Sequence, residues 1–110
     1  MLATSQEGGV VVIDLTGRLD MQTSTGVQEQ LLQALSDNPP AVLIGLSGLE
    51  FISSAGLRVI LRAAKQVNGY QGVLKVCCAE GIVKEVLEVS GFDNLLEHHD
   101  TRQQALVSFQ

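Results

Sequence analysis

Apolar positions along this chain follow two rhythms. Near-continuous, β-branched runs at 10–15, 41–46 and 73–78 alternate with segments where the apolar residues recur every three or four positions. Gly9 to Thr16 (GVVVIDLT) predicts a strand, paired across the Glu7-Gly8-Gly9 turn with a short segment around Ala3 to Ser5. Val27, Leu31, Ala34 and Leu35 predict a first helix, with Thr25 and Gln28 in capping-box positions and Pro39-Pro40 stopping it. The unalternating run Ala41 to Leu46 predicts a central strand covered on both faces, followed by a polar loop. Leu57, Ile60, Leu61 and Ala64 form the stripe of a second helix, with Arg58, Arg62, Lys65 and Gln66 outside it and an end near Asn68-Gly69.

Val73 to Cys78 predicts another strand, and Ile82, Val83, Val86 and Leu87 a third helix, closed at Ser90-Gly91 where glycine can take the left-handed cap. Leu95 to His98 predicts a last short strand. Thr101 with Gln104 offers a capping box for a terminal helix that buries Ala105, Leu106 and Phe109. The expected order is ββαβαβαβα: one α/β domain over 1–110, with about four helices on a mixed, mainly parallel sheet. Its functional edge is expected where strands end and helices begin.

Composition narrows the classes of function. With 45% apolar and 17% charged residues the chain is globular in type. A net charge of −5 lacks the basic surface that phosphate neutralisation needs, which excludes a nucleic-acid binder. The run Gly9 to Leu15 is interrupted by Asp14, no stretch approaches a membrane span, and no signal peptide is evident, so the expected location is the cytoplasm. Cys77 and Cys78 are adjacent, without the spacing of a disulfide framework or a zinc site, and read as structural. His98-His99-Asp100 offers no third or fourth metal ligand, since a strand sends neighbouring side chains to opposite faces. No cofactor motif and no nucleophile with a base is evident, so no enzyme is expected.

The most informative stretch is Leu46 to Leu61, a buried strand leaving through polar residues into a helix that begins at two serines. Ser54 is the expected N-cap, its oxygen accepting from the amide of Gly56 or Leu57; the bland reading is that it is only a cap. Arg58 and Arg62 follow at one and two turns, as a solvated face or as contacts to a phosphate or an acidic partner. Asp20 is either a cap of the first helix or part of the same surface.

Three pieces of the sequence, Gly17-Arg18-Leu19-Asp20, Phe51-Ile-Ser-Ser-Ala-Gly-Leu57, and Ser90-Gly91-Phe92 with Ala105-Leu106, resemble the anti-sigma factor antagonists of the STAS domain family. The family motif commonly runs Asp-Ser-Ser/Thr-Gly-Leu, and the serine after the Asp is phosphorylated by a partner kinase; that position aligns with Ser54. Here Ser53 replaces the Asp and becomes an alternative acceptor, Ala55 replaces the next hydroxyl residue, and Gly45 stands where an Asp often occurs. The resemblance implies a partner-switching regulator with Asp20, Ser53, Ser54, Gly56, Leu57, Arg58 and Arg62 as its binding surface. The implied partners are an anti-sigma factor or serine kinase of the histidine-kinase-like ATPase fold and a metal-dependent serine phosphatase, with no cofactor. The alternative is a non-switching STAS scaffold subunit of a transport or signalling assembly.

Overall fold

Two glycines in left-handed conformation, Gly8 at φ +57° and Gly9 at φ +83°, reverse the chain between its first two strands. The computed structural model describes residues 2–110, and Asp93 by its backbone alone. Strand β1 (Leu2–Glu7) pairs antiparallel with β2 (Val10–Leu19), from Leu2 opposite Leu15 to Glu7 opposite Val10. The chain continues through α1 (Ser24–Ala34), β3 (Ala41–Ile52), α2 (Ser54–Gly69), β4 (Val73–Cys77), α3 (Gly81–Val89), a 3₁₀ turn at Phe92–Asn94, β5 (His98–His99) and α4 (Arg102–Ser108). The five strands stand in the order β1-β2-β3-β4-β5, with every pair after the hairpin parallel. This is the mixed, mainly parallel sheet with four α-helices expected from the sequence.

Successive side chains of β2 point to opposite faces, so two cores form. Ile13 and Leu15 join Val27 and Leu31 of α1, Ile60 and Val67 of α2, and Val83 and Leu87 of α3 in the larger one. Val10 and Val12 join Leu43, Cys77 and Ala105 in a smaller core beneath α4. Burial pushes the Cys77 thiol up to about 12, with the neighbouring Cys78 thiol adding to the effect. Both cores are needed, because a strand such as β3, with Val42 to Leu46 buried, must be covered on each face.

The structure corrects three local expectations. Strand β3 does not end at Leu46 in a polar loop: it runs on to Ile52, pairing Thr16 with Gly48 and Leu19 with Ile52 across two register shifts. The shifts break the alternation that would have marked the extension. The last strand is confined to His98–His99 instead of Leu95–His98, because a 3₁₀ turn occupies the segment before it and leaves Leu95 exposed. Thr25 and Gln28 lie inside α1 and form no capping box; the N-cap is Thr23, and its side chain makes no cap hydrogen bond. The terminal cap is as expected, with Thr101 Oγ1 accepting from the Gln104 amide at 3.1 Å.

Candidate functional site

Two chain segments meet where β2 and β3 end side by side. The amide of Ser53 donates to the Leu19 carbonyl at 2.9 Å, so the start of α2 is docked on the end of β2. Gly56 makes this approach possible: a Cβ there would lie 2.6 Å from the Leu19 carbonyl oxygen and 2.9 Å from Ile52 Cγ1. Gly56 is thus buried and shapes the site from beneath instead of presenting a surface.

The N-cap of α2 is Ser53, not Ser54. Ser53 has extended backbone angles, φ −102° and ψ 176°, and its Oγ accepts from the Gly56 amide at 3.3 Å. Ser54 is the first residue of the helix and is exposed, with no hydrogen bond to its hydroxyl among the described residues. The displacement by one residue has a steric cause. The tight contact with Leu19 is at Gly56, and the Ser53 amide is itself bonded to the Leu19 carbonyl, which holds Ser53 extended and within reach of the Gly56 amide as the cap. Two hydroxyls therefore divide the work, one bound to backbone and the other open to solvent.

Asp20 organises the neighbouring turn. Its Oδ1 accepts from the amides of Gln22 at 3.0 Å and Thr23 at 3.1 Å, while its own amide donates to Thr23 Oγ1 at 3.0 Å. The Thr23 hydroxyl in turn donates to the Arg18 carbonyl at 2.7 Å. The Thr23 amide above all, helped by the Gln22 amide, the Thr23 hydroxyl and Arg18, holds the Asp20 carboxyl below its ordinary value. Arg18 lies 3.6 Å from Asp20 Oδ2, and its guanidinium sits 4.5 Å from the centre of the Phe51 ring. Asp20 thus fixes the turn preceding α1, beside the start of α2.

Leu57 is 8% exposed and lines an apolar groove of about 370 Å³ with Ser54 and with Ile82, Glu85, Val86 and Val89 of α3 and its C-cap Ser90. Arg58 and Arg62 are exposed on α2 and form no hydrogen bond or ion pair among the described residues. The groove escaped the sequence reading, although a signal for it was present. Helix α3 carries two apolar stripes: Val83 with Leu87 is buried against the core, while of Ile82, Val86 and Val89 only Val86 packs partly against it. Ile82 and Val89 remain 48% and 89% exposed.

His98 Nε2 accepts from the Ala79 amide at 3.2 Å and His99 Nε2 lies 2.5 Å from Glu97 Oε2, so both imidazoles serve the junction of β4 and β5. No group of three metal-binding side chains occurs among the described residues, and no helix among them is long and apolar enough to cross a membrane.

A sheet whose parallel strand ends dock a serine-led helix beside a hydrogen-bonded acidic turn defines a small α/β domain with a surface hydroxyl at the start of α2. The STAS domain family model matches residues 1–105. The chain belongs to that family. It is 31% identical over 103 residues to an anti-sigma F factor antagonist of Paenibacillus polymyxa, covering 93% of this chain and 88% of that one. Among solved structures it is similar to an anti-sigma-factor antagonist domain protein of Planctomyces limnophilus, with 28% identity, coverage of 99% and 97%, and a TM-score of 0.87. The phosphorylated form of the Bacillus cell fate determinant SpoIIAA shares the fold at 17% identity, full coverage of both chains and a TM-score of 0.72.

Proposed function

We propose that this chain is an anti-sigma factor antagonist whose unphosphorylated form binds an anti-sigma factor or switch kinase of the histidine-kinase-like ATPase fold in the cytoplasm. Phosphorylation of Ser54 by that kinase inactivates it, and a metal-dependent serine phosphatase restores it. One observation carries the reading: the Ser54 hydroxyl is exposed and unengaged at the first position of α2, while Ser53 supplies the cap. An acceptor serine must offer its oxygen to a kinase without dismantling the fold. Ser54 meets that requirement, whereas Ser53 would have to surrender its bond to Gly56. The relatives named as antagonists, and the phosphorylated state of SpoIIAA, support the same reading.

The energetics favour a change in surface charge over a change of shape. A phosphoserine adds about −1.5 to −2 charge at neutral pH. At a helix N-terminus an anion gains only ~0.3–1 kcal/mol, so the domain tolerates it. Burying the same dianion unpaired against a partner would cost several kcal/mol, so the complex does not. The binding surface is then Ser54 with Arg58 and Arg62 on α2, the groove floored by Leu57, and the Asp20 turn, with Ser53 and Gly56 holding the helix start in place.

The test is phosphopeptide mapping after incubation with the cognate kinase and ATP. One phosphate on Ser54, lost in Ser54→Ala and kept in Ser53→Ala, is the expected result. Labelling of Ser53 or of any other residue would overturn the assignment. Ser54→Asp should fold normally and lose affinity for the kinase; undiminished binding would favour a non-switching scaffold.

A further inference from the structure

The loop between β2 and α1 ends in a side chain that the fold does not use. Met21 is 81% exposed, yet the turn carrying it is held by several side-chain hydrogen bonds. Asp20 Oδ1 holds the two amides that follow Met21, at 3.0 and 3.1 Å, and Thr23 Oγ1 holds the Asp20 amide at 3.0 Å. An apolar side chain on a mobile tip would lose its conformational freedom on binding. On this turn the backbone portion of that loss has already been met by folding.

Position gives the exposed thioether a partner. Leu19, two residues before Met21, accepts the amide of Ser53, so chain geometry holds Met21 within about 16 Å of Ser54. A standard protein interface covers roughly 800 Å² per partner, a patch about 32 Å across. An interface of that size centred on Ser54 extends about as far as Met21. Methionine is enriched at such surfaces because its unbranched, polarisable chain adapts to an irregular pocket.

We propose that Met21 is a specificity-determining contact: the partner that binds over Ser54 receives its side chain in an apolar pocket beside the cleft that takes the serine. This rests on the function proposed for Ser54. The recognition chemistry is that of a protein surface with a hydrophobic recess, displaced from the phosphate-reading groups.

The experiment titrates the full chain against the purified kinase that phosphorylates Ser54, with Ser54→Asp as a control. Met21→Ser should raise Kd roughly tenfold or more, the loss expected for a well-buried apolar side chain. Met21→Leu should stay within about threefold, since the swap conserves volume and apolar character. Both variants should melt within roughly 3 °C of the parent. In an independent reading that needs no variant, the Met21 methyl resonance of protein labelled on its two methionines should shift on adding the kinase. Met21→Ser binding like the parent while Ser54→Asp loses affinity would overturn the inference and leave the Ser54 reading standing. Ser54→Asp binding like the parent would remove that reading and the inference with it.

Discussion

Replacing each of the two adjacent serines by alanine should have opposite consequences for stability and switching. Ser53→Ala removes the acceptor that holds the Gly56 amide at 3.3 Å, near the long end of the hydrogen-bond range. Loss of a serine N-cap costs ~0.5–2 kcal/mol, and the long bond places this one at about 1 kcal/mol. For 110 residues the unfolding entropy is about 0.23 kcal/mol/K, so the melting temperature should fall by about 4 °C. Ser54→Ala removes an exposed hydroxyl at a helical position where alanine is the better helix former, and should shift melting by no more than about 2 °C. Calorimetry at neutral pH measures both, and hydrogen exchange at Gly56 should accelerate in Ser53→Ala alone. Equal losses in the two variants, or no loss in Ser53→Ala, would refute the division between cap and free hydroxyl.

Other expectations follow from the same geometry. Gly56→Ala should destabilise by ~1–3 kcal/mol despite the better helix propensity of alanine, because its Cβ would meet the Leu19 carbonyl oxygen at 2.6 Å; an unchanged denaturation midpoint would contradict the close approach. Asp20 has a folded-state pKa below its unfolded one, so its contribution is complete above about pH 4 and disappears as pH falls through the lowered value. The melting difference between the parent and Asp20→Asn should therefore be flat at neutral pH and shrink on acidification; a difference that grew toward low pH would reverse the sign. The double variant Arg58→Ala with Arg62→Ala should keep its stability to within about 0.5 kcal/mol yet weaken kinase binding by roughly 1 kcal/mol or more, most strongly at low salt in calorimetric titration. Affinity unchanged from that of the parent at both low and moderate salt would place the binding face elsewhere.

The order of elements was legible because each core-facing stripe keeps its period. Val83 with Leu87 and Leu57 with Ile60 are read as easily from sequence as from structure. The end of β3 was not, since Ser47, Gly48 and Glu50 interrupt the apolar run, and only pairing with β2 makes residues 47–52 a strand. Gly45 has a similar history. Read against the family motif it is a missing carboxylate, but in the sheet a Cβ there would lie 2.3 Å from Asp14 Oδ1. That Asp14 carboxylate is held by Arg102 of α4 at 3.2 Å, a contact 88 residues away in sequence that no local pattern reveals.

The distinction between Ser53 and Ser54 was the one that mattered most, and local sequence could not make it. Either serine can cap a helix, and helix starts are ambiguous by a residue or two until tertiary contacts fix them. The deciding contact is between Gly56 and Leu19, on another strand. Once it holds, Ser53 is committed to the backbone, Ser54 is released to solvent, and the Asp20 turn is locked alongside through the shared end of β2. A charge placed on Ser54 then acts on a surface whose geometry is already fixed. The expected stabilisation of ~0.3–1 kcal/mol at the helix end is small beside the 5–15 kcal/mol that holds a domain together. On the proposed reading, a phosphate on Ser54 is therefore expressed in what binds to it, because the same packing that commits Ser53 to the backbone leaves the Ser54 hydroxyl exposed.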